Sequence, residues 1–242
     1  EFVACWVKTE SGQVLDELPT DPMAALSPRD SSIEIGGTML FDAGAAAPTR
    51  PVELIVAMSL GSKTLYRRLQ EVNPGREQKD WVGLPEDELF DYMEQAARGI
   101  DYLNQRGIIH GDIKPQNLLI VGDSVKVCDF GLARAVTNLR MTQSGMGTVA
   151  YAAPELFEGK PHIQSDQYCL AVSFIELRTG TLPFEEPNAY KVIELHRNGR
   201  LDFQKLTRGE RSVMRQATAL RPERRWPTCT EMVRRLREAR HQ

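Results

Sequence analysis

The sequence predicts an α+β fold: a mainly helical body preceded by a small β portion. Three observations predict it. From Leu84 onward, apolar residues recur at three-and-four spacing in one segment after another, the period of a helix with one buried face. Apolar runs such as "VELIVAMSLG", "NLLI" and "VKVCD" are short and bounded by turn residues, as strands are. Residues 1 to about 50, by contrast, keep no sustained period after their first dozen positions.

The elements follow in chain order. "EFVACWVKTESG" reads as a strand running into a turn. The stretch from about 17 to 50, rich in Pro, Gly, Ala and Ser, reads as an insertion, because its prolines and glycines would interrupt a helix. "VELIVAMSLG" is a nearly continuous apolar strand, and "SKTLYRRLQEV" a short helix with Ser62 as its N-cap. In "LPEDELFDYMEQAARGIDYLNQRG", Leu89, Met93, Ala96, Ile100 and Leu103 mark one helix face; Pro85 and acidic residues open it and Gly107 closes it. Short strands are expected at "GIIH", "NLLI" and "VKVCD", then helices at "SDQYCLAVSFIELRTG", "NAYKVIELHRNG", "GERSVMRQATAL" and "TCTEMVRRLREAR". The expected division is 1–60 for the β portion with its insertion and 61–242 for the helical body.

Composition narrows the function classes. The 242 residues carry a formal net charge of −3, so no global basic field invites nucleic acid or anionic lipid. "RRWPTCTEMVRRLREAR" spaces its arginines as a solvated helix face does. Cys5, Cys128, Cys169 and Cys229 stand far apart without metal-ligand spacing, which suits reduced thiols in a reducing compartment. No apolar run reaches membrane-span length and no signal-peptide pattern opens the chain. The stretch is therefore expected to be cytoplasmic, without nucleic-acid or membrane contact of its own; an anchor beyond its ends stays open.

The chemistry-bearing residues cluster. In "IIHGDIKPQNLLI", Asp112, Lys114 and Asn117 occupy six positions between two apolar runs, on a loop held by a rigid scaffold. "DFG", Asp129 to Gly131, directly follows the strand "VKVC", and "GTVAYAAPE" spans Gly147 to Glu155. Together these resemble the catalytic loop, metal-binding loop and substrate-loop anchor of the eukaryotic-type (Hanks-type) serine/threonine protein kinases. Any one motif is weak; three in this order and on these elements do not coincide by chance. "DIKPQNLLI" with "VGDSVKVCDFGLAR" is most similar to bacterial members.

The resemblance implies a kinase-like fold with a truncated small lobe, and transfer of the γ-phosphoryl of ATP to Ser or Thr hydroxyls of a protein substrate. By it, Asp112 accepts the hydroxyl proton, Lys114 steadies the transferring group, and Asn117 and Asp129 hold Mg²⁺ through hard oxygen ligands. Lys114, two residues past the Asp, and Thr148 in "GTVAY" point to the serine/threonine class. Met58 resembles the gatekeeper of the nucleotide pocket, backbone groups of Ser59 and Leu60 would meet the adenine edge, and Leu119 would touch its ring. His110 and Phe130 resemble members of a packed alignment column. Asp166 resembles the helix Asp that ties down the catalytic-loop backbone, and Glu155 is expected to pair with Arg225.

Two departures qualify this. Gly111 stands where the family usually has an Arg that binds a phosphate on the activation segment, so phosphorylation at Thr142 or Ser144 is expected to matter less for ordering that segment. Upstream of Met58 no glycine-rich loop is present, and two readings of Lys8 stand. It is the strand Lys of the family, or "EFVACWVKTESG" is a later strand and the chain starts late. Pro19, Pro22 and Pro28, where a pairing helix should lie, favour the second. On that reading the chain binds ATP weakly and is catalytically impaired. A binding scaffold of pseudokinase type is the alternative function, although Asp112 and Asp129 are both present. A small-molecule phosphotransferase is a third class, which the "APE" anchor and "RPERRWPT" count against.

Overall fold

The computed structural model describes the backbone of residues 2–9, 14–15 and 51–58, and the backbone and side chains of 63–129 and 149–241. Its contacts divide the chain into two units, Glu1–Leu60 and Gly61–Gln242. In the first, β1 (Phe2–Thr9) pairs antiparallel with both β2 (Val14–Leu15) and β3 (Pro51–Met58), giving the order β2-β1-β3. Lys8 stands opposite Val14 on one side and Glu53 on the other.

The second unit opens with β4 (Lys63–Thr64), which pairs antiparallel with β5 (Leu118–Val121); β5 in turn pairs with β6 (Ser124–Val127). Gly122 turns the β5–β6 hairpin at φ 59°, a conformation that glycine adopts without strain. Between β4 and β5 lie α1 (Leu65–Glu71) and α2 (Glu86–Asn104). The cap of α1 is Thr64, whose hydroxyl accepts from the Arg67 N–H at 3.1 Å, and not Ser62, which lies outside the described residues. The backbone enters the helix two residues later than the sequence suggested, because Lys63 and Thr64 are taken by the sheet.

Helix α2 buries most of the expected stripe: Leu89, Met93, Ala96 and Ile100 are fully buried, Leu103 in the last turn is only partly so, and the chain turns away through Gly107 at φ 72°. The "GIIH" strand does not form. The backbone N–H of His110 and of the following Gly111 point instead at a carboxylate on the next helix, α3 (Ser165–Thr179), so no ladder is available to them.

Helix α3 is the centre of the unit: every residue from Ser165 to Leu177 is buried. A helix enclosed on all sides carries polar residues only where they have partners, and that property builds the site. The connection into α2 closes tightly on the end of α3. The Leu84 N–H donates to the Leu177 carbonyl at 2.8 Å, and a Cβ on Gly83 would sit 2.0 Å from the Arg178 carbonyl oxygen. Phe90 of α2 meets Phe174 of α3 with ring centroids 5.9 Å apart.

Among the described residues three further helices follow: α4 (Ala189–Arg197), α5 (Arg208–Ala217) and α6 (Cys229–Ala239). Asn188 caps α4 through its side-chain oxygen, and Asp101 of α2 accepts the Cys229 and Thr230 N–H groups at the start of α6. Helix α5 begins with a reciprocal capping box in which Thr207 Oγ1 accepts from the Glu210 N–H and the Glu210 carboxylate accepts from the Thr207 N–H. Thr207→Ala is expected to cost about 1 kcal/mol, read as a lowered urea midpoint with an unchanged denaturant slope.

Candidate active site

The loop before β5 is built from a backbone that would not hold itself. Its N–H groups face the protein interior with no strand beside them, and Asp166 supplies the partners. Its Oδ2 accepts from the His110 N–H at 2.9 Å and its Oδ1 from the Gly111 N–H at 2.7 Å. Burial pushes the Asp166 carboxyl above its ordinary range, while the two N–H bonds and His110 pull against that shift. Gly111 sits at φ 75°, where a residue with a Cβ is strained. Glycine here thus has a conformational reason beyond its lack of a phosphate-binding side chain.

His110 is fully buried and fastens the loop to the strand end that carries Asp129. Its Nδ1 accepts from the Asp112 N–H at 3.3 Å, so the proton lies on Nε2, which donates to the Cys128 carbonyl at 3.0 Å. Cys128 is held from the other side too, its N–H donating to the Asn117 carbonyl at 3.0 Å. Two bonds to one residue thereby fix the position of its neighbour Asp129, which is exposed and has a left-handed φ of 65°. Burial, and then the Asp129 charge, push the Cys128 thiol up, so it is not a ready thiolate.

Within the loop, three of the expected residues converge. Asp112 is 4% exposed, and its Oδ2 accepts from Lys114 Nζ at 2.7 Å and from Asn117 Nδ2 at 3.0 Å. The same Nδ2 also donates to the Asp112 carbonyl at 2.8 Å. Both side-chain bonds land on Oδ2. The Asn117 amide nitrogen is spent on Asp112, which turns its oxygen away from that carboxylate. A 3₁₀ turn, Pro115–Asn117, brings Asn117 back under Asp112.

Leu119 lies two residues further on β5, on the less buried face of a strand whose alternate residues Leu118 and Ile120 enter the core. Met58 closes β3 in the first unit. Ser59, Leu60, Phe130, Thr142, Ser144 and Thr148 lie outside the described residues.

The segment Val149–Glu158 is pinned at three points. Arg225 Nη1 and Nη2 meet Glu155 Oε1 and Oε2 at 2.6 and 2.8 Å, the bidentate pair expected from the sequence. Burial would push the Glu155 carboxyl up, but the Arg225 bonds and the Ser165 hydroxyl outweigh it and hold it below the ordinary range. The Tyr151 hydroxyl donates to Glu176 Oε2 at 2.6 Å, and burial raises the Glu176 carboxyl to about 7. The Ala150 carbonyl accepts from His196, whose imidazole burial lowers to about 4. Sequence reasoning missed these last two pins. Neither Glu176 nor His196 belongs to a motif, and both read as ordinary helix members.

The family model described as the protein kinase domain matches residues 51–239. A serine/threonine-protein kinase PknA of Corynebacterium glutamicum is 40% identical over 119 residues, 48% of this chain and 25% of the relative. PknF of Mycobacterium tuberculosis, also a serine/threonine-protein kinase, is 33% identical over 171 residues, 64% of this chain and 35% of the relative. The chain thus spans a quarter to about a third of the length of these relatives. The crystal structure of the Mycobacterium tuberculosis PknI kinase domain superposes with a TM-score of 0.55 over 77% of this chain and 66% of that one, at 24% identity, a likeness of fold. With the family model matched over most of its length, a kinase fold around α3 and serine/threonine kinases among its relatives, the chain belongs to the protein kinase family.

Proposed function

We propose that this chain serves phosphoryl transfer from ATP to serine or threonine hydroxyls of a protein substrate. The observation that carries the reading is the convergence of Lys114 and Asn117 on one oxygen of the buried Asp112, with Asp129 held beside them through Cys128. In this arrangement Asp112 orients the acceptor hydroxyl and takes its proton as the oxygen attacks the γ-phosphorus and the bond to ADP breaks. Lys114 stays within reach of both the carboxylate and the transferring group. A turn cap would explain Asp112 or Asn117 alone, but not a Lys between them committed to the same oxygen.

The residues suit Mg²⁺. Among the described residues no group of three or more His, Cys, Asp or Glu side chains could enclose a metal by itself. The Asn117 amide oxygen and the Asp129 carboxylate are two hard donors, and Mg²⁺ commonly takes one or two protein ligands and completes its shell with water and phosphate oxygens. When bound, the ion neutralises charge that develops on the phosphates. We read Thr148 as a further catalytic-loop partner, and Met58, Ser59, Leu60 and Leu119 as the adenine side of the site. The unit Glu1–Leu60 is then the counterpart of a small lobe and Gly61–Gln242 of the large one.

Calorimetric titration with ATP, with and without Mg²⁺, tests this on the wild type and Asp129→Ala. Mg²⁺-dependent binding that disappears in the variant supports the reading, and transfer to an acceptor protein then follows as the second assay. Absence of binding in the wild type would favour a scaffold role. Among the described residues no helix is long and apolar enough to cross a membrane.

A further inference from the structure

His196 is fully buried on α4, and neither the motifs nor the family match assigns it a role. Its two ring nitrogens reach different elements. Nε2 lies 3.1 Å from the Ala150 carbonyl oxygen and Nδ1 lies 2.8 Å from the Tyr168 hydroxyl on α3. A carbonyl can only accept, so the proton sits on Nε2, and Nδ1 accepts from the Tyr168 O–H. Burial keeps the imidazole neutral, and in the neutral ring this one tautomer satisfies both bonds. The rings of Phe157, Tyr168 and Phe184 surround the imidazole at centroid distances of 6.1, 5.7 and 5.6 Å, a cage that fixes its plane and excludes water.

The chain of contacts ends close to where another begins. Tyr168 is two residues from Asp166 on α3, and Asp166 holds the backbone of the loop that carries Asp112. One turn of α3 therefore anchors the Asp112 loop directly and, through His196, the backbone of Ala150. The neighbouring Tyr151 side chain is tied separately to Glu176, so His196 acts on the main chain of this segment and not on its side chains.

We propose that His196 is a positioning residue: it sets where the segment Val149–Ala153 stands relative to Asp112, and so governs engagement of the protein substrate but not phosphoryl transfer. The substrate half of this statement rests on the kinase reading above; the tether itself does not. The imidazole touches no reacting atom.

Amide hydrogen exchange over residues 149–158 and steady-state kinetics with casein as acceptor test it on His196→Phe, which keeps the ring volume and removes both bonds. Exchange at residues 150–153 is expected to accelerate roughly tenfold, the scale of one net hydrogen bond. KM for the acceptor should rise by roughly the same factor while kcat and KM for ATP stay within about twofold. His196→Gln, which can restore an N–H toward Ala150, should recover most of the loss. Tyr168→Phe removes one bond and keeps the imidazole, and supplies a readable variant if His196→Phe fails to fold. Unchanged exchange in folded variants overturns the tether; a fall in kcat at constant KM overturns the substrate role. A wild type without phosphotransfer defeats the kinase reading, and the tether then stands or falls on exchange alone.

Discussion

Arg225→Met is expected to destabilise the protein by about 3–5 kcal/mol, the usual result of removing one partner of a buried ion pair. Arg225 is 3% exposed, and its guanidinium makes four hydrogen bonds. Two go to Glu155, one to the Gln164 carbonyl at 3.0 Å, and one from Nε to the Ala219 carbonyl at 2.9 Å; the cation also lies 5.0 Å from the Tyr168 ring centroid. Methionine fills part of the space and satisfies none of these acceptors. Glu155 then keeps Ser165 as its remaining side-chain donor, at 2.7 Å, too little for a carboxylate half-sunk in the core. Urea unfolding curves measure the loss directly. The comparison that tests the mechanism is Arg225→Met with Glu155→Leu. If the cost comes from a stranded charge, the double variant recovers a good part of it. A double variant as unstable as the sum of both singles would instead place the cost in lost packing. The Glu155 carboxyl is lowered in the fold, so its contribution is present above the unfolded value and is lost as pH falls through the folded one.

That pair could be anticipated because "APE" and "RPERRWPT" resemble kinase motifs, and the resemblance implies the pairing. The Asp166 anchor was anticipated for the same reason, and the α2 face was legible because Leu89, Met93, Ala96 and Ile100 repeat at helical period. What escaped the sequence has physical causes. "GIIH" has strand composition, but its backbone finds a carboxylate brought from 56 residues away instead of a neighbouring strand. Ser62 and Thr64 are equivalent caps by composition, and only the pairing of β4 with β5 selects Thr64. Asp112, Lys114 and Asn117 could be picked as a group, but their convergence on Oδ2 depends on the 3₁₀ turn that folds Asn117 back. His196 and Glu176 were invisible for a different reason. Periodicity reports that a helix position is buried, not which carbonyl or hydroxyl waits there.

Those two groups carry the second large effect, because they titrate in opposite senses. Glu176 has a folded value of about 7 against an ordinary carboxyl near 4.5, so the fold holds its proton longer than the unfolded chain does. Stability from this group is complete below the unfolded value and is lost as pH rises through the folded one, by about 3 kcal/mol in all. His196 has a folded value of about 4 against 6.5, so the fold resists its protonation. Its contribution is complete above the unfolded value and is lost as pH falls toward the folded one, again by about 3 kcal/mol. Between the two unfolded values the slopes oppose each other, and the wild type should be nearly insensitive to pH there. Glu176→Gln removes one slope while its side-chain oxygen still accepts from Tyr151. This variant should gain about 2–3 kcal/mol over the wild type at pH 8 and little at pH 5, and its own stability should climb across the mildly acidic range where the wild type is flat. Among the described residues, Glu176 interacts with the Tyr151 hydroxyl and, more weakly, the Tyr66 phenol, neither of them a cation that would favour the charged form. Urea midpoints from pH 4 to pH 8 decide the matter. A variant whose midpoint runs parallel to the wild type at every pH would show that Glu176 is already ionised in the fold, and that solvent or a cation reaches it beside Tyr151.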